Sequence, residues 1–385
     1  MNNYDLIVLG MGGVGSAAMY HAARRGVRVL GIDRFPAGHD RGSSHGGTRI
    51  IRQAYFEHPD YVPLLLRAYE LWRELESQAG RQLYFEVGLL QVGPPNGFVV
   101  PGVLRSAHDH RLDVEPLTAQ ETMRRFPMFQ VPAAHTAVFE RRAGYLLVEE
   151  CVQCHLAAAR RFGAEEIFDA TIQGWEPQGS EFVVQTSRGS FQARHLIITA
   201  GPWAGTLLRS LADQLLVLRK QLHWFEPADR RYRWENGCPT FLFESDRGVF
   251  YGFPQIDAAG VKVAEHSGGV GTLDPLNDSR QLDPLDRQRV LEFLAESLPG
   301  VTTRAVRHAV CFYTMSPDAH FIVDRDAEHP RVVYAAGLSG HGFKFTTVLG
   351  QALTEMTLDG GTALPVAFLA RRDSAASQAS DSENA

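Results

Sequence analysis

A glycine-rich turn between two apolar runs constrains this chain more than any other feature of its sequence. The run Leu6–Leu9 leads into Gly10-Met11-Gly12-Gly13-Val14-Gly15, and small residues follow as far as Gly26. A second apolar run, Val27–Ile32, ends on Asp33. This order of residues predicts a strand, a tight turn, a helix and a second strand.

The glycines and the acidic residue of this stretch each have a physical role in a dinucleotide-binding motif. Gly10 permits the turn, Gly12 lets the backbone approach a pyrophosphate, and Gly15 lets the helix pack closely on the strand. The helix N-terminus offers N–H groups and a positive dipole end to phosphates, and Asp33 can accept a hydrogen bond from a ribose hydroxyl. We therefore predict a bound dinucleotide rather than a glycine-rich turn without a ligand. The motif leaves FAD and NAD open, and its N-terminal place favours FAD.

Length, charge and cysteine content limit the remaining possibilities. A chain of 385 residues predicts two domains. Its net charge of −6 does not indicate a basic surface that would bind nucleic acid. No apolar run approaches the roughly 18 residues of a membrane span, and the N-terminal residues do not resemble a signal peptide. The four cysteines are too few for a disulfide scaffold, so we expect a cytoplasmic protein.

The positions of the apolar runs predict two interleaved domains. The fold class is α/β and α+β: a Rossmann-like dinucleotide-binding domain with an interleaved substrate domain built on a mixed β-sheet. The predicted stretches are 1–83, 143–213 and 317–369 for the dinucleotide-binding domain and 84–142 and 214–316 for the substrate domain. Residues 370–385, rich in Ser, Ala, Asp and Glu, predict a disordered tail.

Apolar periodicity predicts the main elements within these stretches. The predicted helices are 61–80, 147–161 and 346–358, and the predicted strands include 223–225, 240–243, 249–253, 261–264 and 332–336, with a hairpin over 182–200. The helix 147–161 contains Cys151-Val152-Gln153-Cys154-His155, formally a haem-attachment pattern. Because the helical apolar period runs through it, we predict buried thiols there.

Four charged or nucleophilic residues stand out, and each could have a structural or solvated role instead of a role in binding a ligand. Arg49 and Arg52 follow a loop rich in Gly, Ser and His; both could face a ligand, or both could be solvated at the start of a helix. Lys262 stands inside an apolar strand, where a lysine usually points outwards. A lone cysteine such as Cys311 is usually a buried structural thiol.

Three further motifs carry a family resemblance. They are Gly42-Ser43-x-His45-Gly46-x-Thr48-Arg49-Ile50-Ile51-Arg52, Cys311-x-Tyr313 and the run Gly337–Phe345. Together with the N-terminal glycine motif, they resemble the monomeric sarcosine oxidase family, which includes N-methyl-tryptophan oxidase. The resemblance covers about residues 4–365, in the order and spacing of the family.

The resemblance implies roles for these residues. It implies FAD as the cofactor, joined covalently through the Cys311 sulfur to the flavin 8α-methyl group. It implies that Arg52 and Lys344 bind the substrate carboxylate, that Lys262 faces flavin N5 and stabilises superoxide during the reaction with O₂, and that Arg49 lies on the other flavin face. Without a ligand, Lys344 would be an ordinary solvated lysine. The implied catalytic residues are Lys262, Arg49, His266, Tyr251 and Tyr313; Tyr251 and Leu242 also line the substrate pocket. The implied cofactor-binding residues are Gly10, Gly12, Gly15, Asp33, Arg34, Ser43, His45, Thr48, Cys311, Gly340, His341, Gly342 and Lys344.

The implied reaction is oxidative demethylation of an N-methyl amino acid to the primary amino acid, formaldehyde and H₂O₂, by a monomer that needs no metal. This chain departs from the family in its entrance loop, Phe56-Glu57-His58-Pro59, and at Leu242, where similar sarcosine oxidases carry Met. A larger N-methyl amino acid, a cyclic imino acid and a glycated amino acid therefore stay open as substrates. Two further functions also stay open: a dehydrogenase that passes electrons to a carrier protein, and a non-catalytic flavin-binding protein.

Overall fold

The structure is a computed structural model that describes residues 3–372. These residues form two compact units. The first comprises residues 3–44, 149–218 and 312–372, and the second comprises residues 45–148 and 219–311. The chain therefore passes from one unit to the other four times, as an interleaved architecture requires.

The strands and helices of residues 3–372 follow one another along the chain. The strands are β1 (Asn3–Leu9), β2 (Val29–Ile32), β3 (Thr48–Ile51), β4 (Tyr84–Phe85), β5 (Leu89–Gly93), β6 (Glu115–Thr118), β7 (Thr136–Glu140), β8 (Gly144–Leu147), β9 (Glu165–Ile167), β10 (Ile172–Gln178), β11 (Glu181–Thr186), β12 (Gly189–Ile198), β13 (Leu216–Pro227), β14 (Thr240–Ser245), β15 (Gly248–Phe253), β16 (Val261–Glu265), β17 (Val270–Gly271), β18 (Val301–Met315), β19 (Ile322–Arg325) and β20 (Val332–Ala336). The α-helices are α1 (Gly13–Arg24), α2 (Val62–Ala79), α3 (Val99–His110), α4 (Ala119–Arg125), α5 (Val148–Arg161), α6 (Ala204–Leu207), α7 (Pro284–Ser297) and α8 (Thr346–Asp359). Short 3₁₀ helices lie at Pro59–Tyr61, Gly201–Trp203, Arg209–Gln214, Arg230–Tyr232, Trp234–Asn236, Phe343–Phe345 and Ala367–Leu369.

The first unit is built on one sheet with a parallel centre. Strands β9, β2, β1, β12 and β20 lie side by side in that order and are parallel. The N-terminal half of β12 pairs antiparallel with β11, which pairs with β10, while its C-terminal half pairs with β20. The predicted hairpin over 182–200 and the predicted Rossmann-like arrangement are both confirmed.

Small residues let the first helix of this unit pack closely. Helix α1 has buried alanines along its length and packs against α8. A Cβ placed on Gly350 of α8 would lie 2.6 Å from Ala17 Cβ, so the two helix backbones approach each other at that point. The N-termini of α1 and α8 also meet, because a Cβ on Gly13 would lie 2.6 Å from Thr346 Cγ2.

The second unit is built on a mixed sheet with strand order β17-β13-β16-β15-β14-β5-β7-β6, in which β18 also pairs with β13. Side chains alternate between the two faces of such a sheet. One face carries the apolar core and packs against α7, where the Phe250 and Phe293 rings stack with centroids 4.6 Å apart. The prediction of a second domain built on a mixed β-sheet is therefore confirmed.

The other face of this sheet carries three of the residues singled out above, Leu242, Tyr251 and Lys262. Leu242 lies opposite both Gln91 and Tyr251 in the strand register, and Tyr251 lies opposite Ala264. Residues directly opposite one another share a face. Lys262, two residues before Ala264, therefore lies on this face, and so does Glu140, which is opposite Leu89. We call it the polar face of the second sheet.

The bounds of the units differ from the predicted division. Residues 45–83 and 143–148 were predicted for the dinucleotide-binding domain but pack within the second unit, and residues 214–218 and 312–316 were predicted for the substrate domain but pack within the first. The start of the stretch 45–83 is held in the second unit by Lys262, which donates to Gly46 and Thr48, and by Glu140, which accepts from the Gln53 and Ala54 N–H groups. The functional roles of the two sets of stretches stay a prediction. Of the predicted tail, the Arg371 N–H donates to Asp324 at 2.9 Å, and residues 373–385 lie outside the described residues. Within residues 3–372 no helix is long and apolar enough to cross a bilayer.

Candidate functional site

The glycine turn of the first unit leaves no room for side chains at two positions. Gly10 has φ +93° and a Cβ there would lie 2.7 Å from the Thr199 carbonyl oxygen. A Cβ on Gly15 would lie 1.8 Å from the Gly10 carbonyl oxygen. Strand β1, the turn and helix α1 therefore pack backbone against backbone, and only glycine satisfies that geometry.

The space beside Gly12 is different, because a Cβ there would meet only the Ser44 hydroxyl, at 3.5 Å. The Ser44 hydroxyl accepts from the Gly13 N–H at 3.1 Å. The N-cap residue of α1 is Gly12, which has no side chain to accept from the other N–H groups. The first N–H groups of a helix have no partner within the helix. This end of α1 therefore presents N–H donors over an open backbone surface, which suits a phosphate.

Asp33 lies at the end of β2 and is held by the backbone of the same turn. Its carboxylate accepts from the Met11 N–H at 2.6 Å and from the Phe35 N–H at 3.0 Å. Burial raises the pKa of Asp33 above its usual value, while His39 and these N–H groups act in the opposite direction. Each carboxylate oxygen has two acceptor sites, so the group keeps capacity for a further donor such as a ribose hydroxyl.

The guanidinium of the neighbouring residue, Arg34, lies over an aromatic ring. Its guanidinium carbon is 6.0 Å from the centre of the Trp203 ring, and Phe35 also packs against Trp203. Trp203 follows β12, whose C-terminal end adjoins the glycine turn. The chain thus gathers two aromatic side chains and one cation near the acidic end of β2.

The loop Gly337–Lys344 in the first unit is folded tightly around glycine. A Cβ on Gly340 would lie 2.3 Å from the Tyr313 ring, and one on Gly342 would lie 2.6 Å from Leu338 Cβ. Lys344 is buried, at 6% exposed, and its Nζ donates to the His341 carbonyl oxygen at 2.7 Å. The interpretation of this lysine as a solvated one is therefore wrong.

Two further predicted cofactor neighbours in this unit also contact its backbone. The Ser43 hydroxyl donates to the Phe312 carbonyl oxygen at 2.6 Å. The His341 imidazole lies 3.0 Å from the Ala319 carbonyl oxygen and packs against the Phe321 ring, with centroids 4.6 Å apart. Ser43 thereby connects the start of the motif Gly42–Arg52 to the backbone between Cys311 and Tyr313.

In the second unit Lys262 is buried, with 2% of its surface exposed. Its Nζ donates to the Gly46 carbonyl oxygen at 2.8 Å, to the Thr48 carbonyl oxygen at 2.9 Å and to the Thr48 hydroxyl at 3.3 Å. The ammonium also lies 4.7 Å from the centre of the Phe253 ring. An outward-pointing, solvated lysine is therefore excluded, and the charge is fixed in place by three oxygens.

The residues around Lys262 belong to the motif that carries the two arginines. Arg49 is half-buried on β3, and its Nη1 donates to the Thr48 carbonyl oxygen at 2.9 Å. His45 and Thr48 are buried. The interpretation of Arg49 and Arg52 as solvated residues at a helix start is wrong, because this segment is a strand and Arg52 is only 3% exposed.

The Arg52 guanidinium is held by both polar and aromatic groups. Nη2 donates to both carboxylate oxygens of Glu57, at 2.7 and 2.6 Å, and Nη1 donates to the Ala54 carbonyl oxygen at 3.0 Å. Its central carbon lies 4.1 Å from the Tyr55 ring centre and 4.2 Å from the Phe56 ring centre. Those rings are nearly parallel, at 13°, so the guanidinium packs against two aromatic faces while it binds a carboxylate.

The predicted pocket residues lie on or beside the polar face of the second sheet. Leu242 and Tyr251 are neighbours on adjacent strands, and the Tyr251 ring lies 6.3 Å from the imidazole of His266, just beyond β16. Cys311 on β18 is a free, fully buried thiol.

Three residues of this unit were missed by the sequence reasoning. Lys220, 1% exposed, donates from Nζ to the carbonyl oxygens of residues 266, 267 and 268, and burial lowers its pKa to about 8. Glu140, 1% exposed, accepts from two backbone N–H groups. Gln91 is fully buried, and its amide has no hydrogen-bond partner within residues 3–372. Gln91 stands inside an apolar run and Glu140 ends one, which is the signal that could have found them, whereas Lys220 stands between Arg219 and Gln221 and gives no such signal.

The side chains that could bind a metal are dispersed over the described part of the chain. No cluster of three or more His, Cys, Asp or Glu side chains that could hold a metal ion occurs within residues 3–372. Cys151 and Cys154 lie on helix α5, and burial lowers the pKa of His155 to about 3. The predicted buried thiols hold for Cys151, which is fully buried, while Cys154 is half-buried.

Comparison with known proteins defines the class. Residues 5–356 match the model of the FAD dependent oxidoreductase family, and the chain belongs to that family. It is 40% identical over 382 residues to the monomeric sarcosine oxidase of Streptomyces avermitilis, covering 98% of this chain and 99% of the relative. It is 39% identical over 355 residues to the N-methyl-L-tryptophan oxidase of Yersinia pestis, covering 91% and 93%. The family resemblance stated from the motifs is therefore confirmed.

Solved structures agree on the fold. NikD, described as an unusual amino acid oxidase essential for nikkomycin biosynthesis, superposes with a TM-score of 0.85 at 23% identity, over 97% of this chain and 98% of that chain. The L-proline dehydrogenase of P. horikoshii superposes with a TM-score of 0.83 at 21% identity, over 96% and 97%.

The first unit fits FAD on its own geometry. The open backbone at Gly12 and the N-terminus of α1 suit the pyrophosphate, and the Asp33 carboxylate suits a ribose. The Thr346 hydroxyl, at the start of α8 beside Gly13, is buried without a hydrogen-bond partner within residues 3–372. Such a group calls for a ligand or water as its partner. The chain is an FAD-dependent oxidoreductase.

Proposed function

We propose that this enzyme is an oxidase of N-methyl amino acids, with sarcosine as the first substrate to test. The observation that carries the proposal is the buried Arg52 guanidinium, which holds the carboxylate of Glu57 through two contacts from one nitrogen. Arginine binds carboxylates with geometric selectivity. Relatives named monomeric sarcosine oxidase and N-methyl-L-tryptophan oxidase, matched over most of their length, support the same substrate class.

In the proposed reaction Arg52 and Lys344 supply the cationic donors for the substrate carboxylate. This leaves the N-methyl group as the part of the substrate to be oxidised. FAD, when bound, would supply the acceptor for a hydride equivalent from the N-methyl C–H bond and the two-electron donor to O₂. Hydrolysis of the resulting imine by water would give formaldehyde and the primary amino acid. Leu242, Tyr251 and His266 would line the rest of the pocket, and Tyr313 would pack beside it.

Lys262 is the proposed group for the O₂ half of the reaction. Its ammonium is fixed by three oxygens, so it needs no rearrangement to stabilise developing negative charge. Arg49 is proposed as the second cation near the flavin. Replacement Lys262→Met should slow reoxidation by O₂ by about 100-fold or more and slow anaerobic flavin reduction far less. Stopped-flow measurement of both half-reactions decides it, and equal slowing of both would remove the proposed role.

Cys311 is the proposed point of covalent flavin attachment. Its buried thiol lies on β18, immediately before the backbone that Ser43 contacts. Acid precipitation of the purified protein should leave the yellow colour in the pellet. The variant Cys311→Ser should release the colour to the supernatant, and yellow supernatant from the unaltered protein would exclude the linkage while leaving FAD binding intact.

A substrate panel tests the function itself. Sarcosine, N-methyltryptophan, proline and a glycated amino acid are each incubated with the enzyme, and H₂O₂ and formaldehyde are measured. N-Methyl amino acids should give both products in equal amounts. N-Methyltryptophan is the second candidate because of the 39% identical relatives. Peroxide from proline alone would contradict the proposed substrate class. We further propose that the enzyme acts as a cytoplasmic monomer.

A further inference from the structure

The carboxylate of Glu140 is placed where it can control Arg52 without contacting it. Glu140 is the last residue of β7 and lies on the polar face of the second sheet. One of its oxygens accepts from the Gln53 N–H at 2.6 Å and the other from the Ala54 N–H at 3.1 Å. The two peptides it holds are those that directly follow Arg52.

The Ala54 residue connects the two side chains. Its N–H donates to Glu140, and its carbonyl oxygen accepts from Arg52 Nη1 at 3.0 Å. A backbone segment fixed at Gln53 and Ala54 therefore fixes an acceptor for one arm of the guanidinium. The other arm binds a carboxylate, which in this structure is that of Glu57.

Holding a carboxylate at this depth is costly, which argues that the contact matters. Burial raises the pKa of Glu140 to about 7, against the N–H groups and Arg52, which lower it. The other titratable groups that interact with it are the Tyr69 and Tyr84 phenols. An apolar side chain would avoid this cost, but it could not accept two N–H groups.

We propose that Glu140 is a positioning residue for Arg52, acting through the Gln53 and Ala54 peptides. The inference rests on the proposed function, because it takes Arg52 as the binder of the substrate carboxylate. It adds a group that orients that binder and makes its orientation depend on a proton. Protonated Glu140 would present a hydroxyl where an acceptor is needed, so carboxylate binding should weaken as pH falls through the pKa of Glu140.

The test compares Glu140→Gln with a matched control. Glutamine keeps one acceptor but places an amide N–H₂ against the second backbone N–H. Glu76→Gln is the control, because Glu76 Oε1 also accepts from two consecutive N–H groups in this unit, of Leu83 at 2.7 Å and Tyr84 at 2.8 Å.

Acetate serves as the probe of the carboxylate site. Each variant is purified as the FAD-loaded enzyme, and the dissociation constant of acetate is determined from the change in flavin absorption. The titrations run from about pH 5.5 to about pH 9, on both sides of the raised pKa and above the range in which a simple carboxylic acid takes up its proton.

Loss of one charged hydrogen bond in the chain of contacts should raise the acetate dissociation constant and the sarcosine KM about tenfold. The kcat should change by no more than about twofold, since only binding of the carboxylate is affected. The pH dependence of acetate binding should also flatten in Glu140→Gln. Glu76→Gln should match the unaltered enzyme in all three.

A double variant separates failure of the inference from failure of the proposed function. If Arg52→Lys leaves acetate binding and KM unchanged, the proposed role of Arg52 falls and the inference falls with it. A second outcome is that Arg52→Lys weakens binding while Glu140→Gln has the same effect on acetate binding in the unaltered protein and in the Arg52→Lys variant. The two residues then act independently, and only the inference is overturned. The inference predicts that Glu140→Gln changes binding less than about twofold in the Arg52→Lys background.

Glu140→Asp gives a second measure that does not depend on the glutamine variant folding. It keeps the charge but shortens the side chain by one methylene, so it should weaken acetate binding less than Glu140→Gln and keep the pH dependence. An aspartate variant with unchanged acetate affinity and no pH dependence would contradict the inference.

Discussion

The glycine turn of the first unit and the Arg52 segment of the second are both fixed in place, but by different physics. At the turn, a Cβ on Gly15 would lie 1.8 Å from the Gly10 carbonyl oxygen, so shape alone determines the residue. Around Arg52, a carboxylate, a carbonyl oxygen and two rings hold one guanidinium. The steric constraint at Gly15 should be indifferent to pH and salt, while the contacts of Arg52 should respond to both.

This difference fits the work proposed for each region. A dinucleotide that stays bound needs a rigid cradle, and steric constraint provides one. A substrate that comes and goes needs a cation that can exchange one carboxylate for another, and Glu57 already occupies the guanidinium in the way a substrate would.

The largest effect should come from adding one methyl group at Gly15. Gly15→Ala forces strand β1 and helix α1 apart and should cost more than about 3 kcal/mol of stability. Flavin content and thermal unfolding measure it. Gly174→Ala is the matched control in the same unit, since nothing lies within 4 Å of a Cβ there and its φ is not positive. A Gly15→Ala protein with full flavin content and an unchanged melting temperature would show that the close approach of β1 and α1 does not determine this residue.

The second effect is a pH dependence of stability from Glu140. Its folded pKa of about 7 is above the ordinary value of 4.5, so the folded state binds the proton more tightly than the unfolded one. Stability therefore falls as pH rises through this window, by up to about 3 kcal/mol. As the pH rises from 4.5 to about 7, the melting temperature of the unaltered protein should fall relative to that of Glu140→Gln.

If the melting temperature of the unaltered protein instead rose with pH relative to Glu140→Gln, the N–H groups and Arg52 would lower the pKa of Glu140 by more than burial raises it. The sharpest form of the experiment follows the difference between the two proteins, because titration of other groups cancels in it.

A third, smaller effect should follow from freeing Arg52. Glu57→Gln removes the charge that competes with the substrate, so acetate and sarcosine should bind about threefold to tenfold more tightly. Glu70→Gln is the control, since Glu70 pairs with Arg67 at 2.6 Å on the exposed side of α2. Weaker binding in Glu57→Gln would show that Glu57 helps to orient Arg52 rather than compete for it.

The smallest effect should come from Gln91. Its buried amide has no hydrogen-bond partner within residues 3–372, so Gln91→Leu should raise stability by about 1 kcal/mol, measured by thermal or denaturant unfolding. The side chain shares the polar face with Leu242 and Tyr251. A loss of stability, or a shift in substrate preference, would indicate that the amide serves a bound water or the substrate.

The sequence predicted the regions that depend on local pattern. The helix predicted over 61–80 is Val62–Ala79, the helix predicted over 346–358 is Thr346–Asp359, and the strand predicted over 332–336 is Val332–Ala336. The glycine motif could be recognised because its steric constraint acts over a few residues. The order and spacing of the motifs then indicated the family.

The sequence could not predict the contacts of the second unit. Glu140 and Gln53 are 87 residues apart, and no spacing rule connects them. Residues 45–83 lie outside the predicted domain for the same reason: Lys262, which donates to the Gly46 carbonyl oxygen, is 216 residues away from it along the chain. Glu57 was visible as part of an unusual loop, but its bond to Arg52 depends on how that loop folds back.

Anaerobic mixing of the purified enzyme with sarcosine tests directly whether the enzyme oxidises N-methyl amino acids. The yellow flavin absorption should bleach with sarcosine and not with glycine, which lacks the N-methyl group, and air should restore it with one H₂O₂ per flavin. Absorption that stays unchanged with sarcosine and with every other N-methyl amino acid, in a protein that contains FAD, would contradict the proposed function.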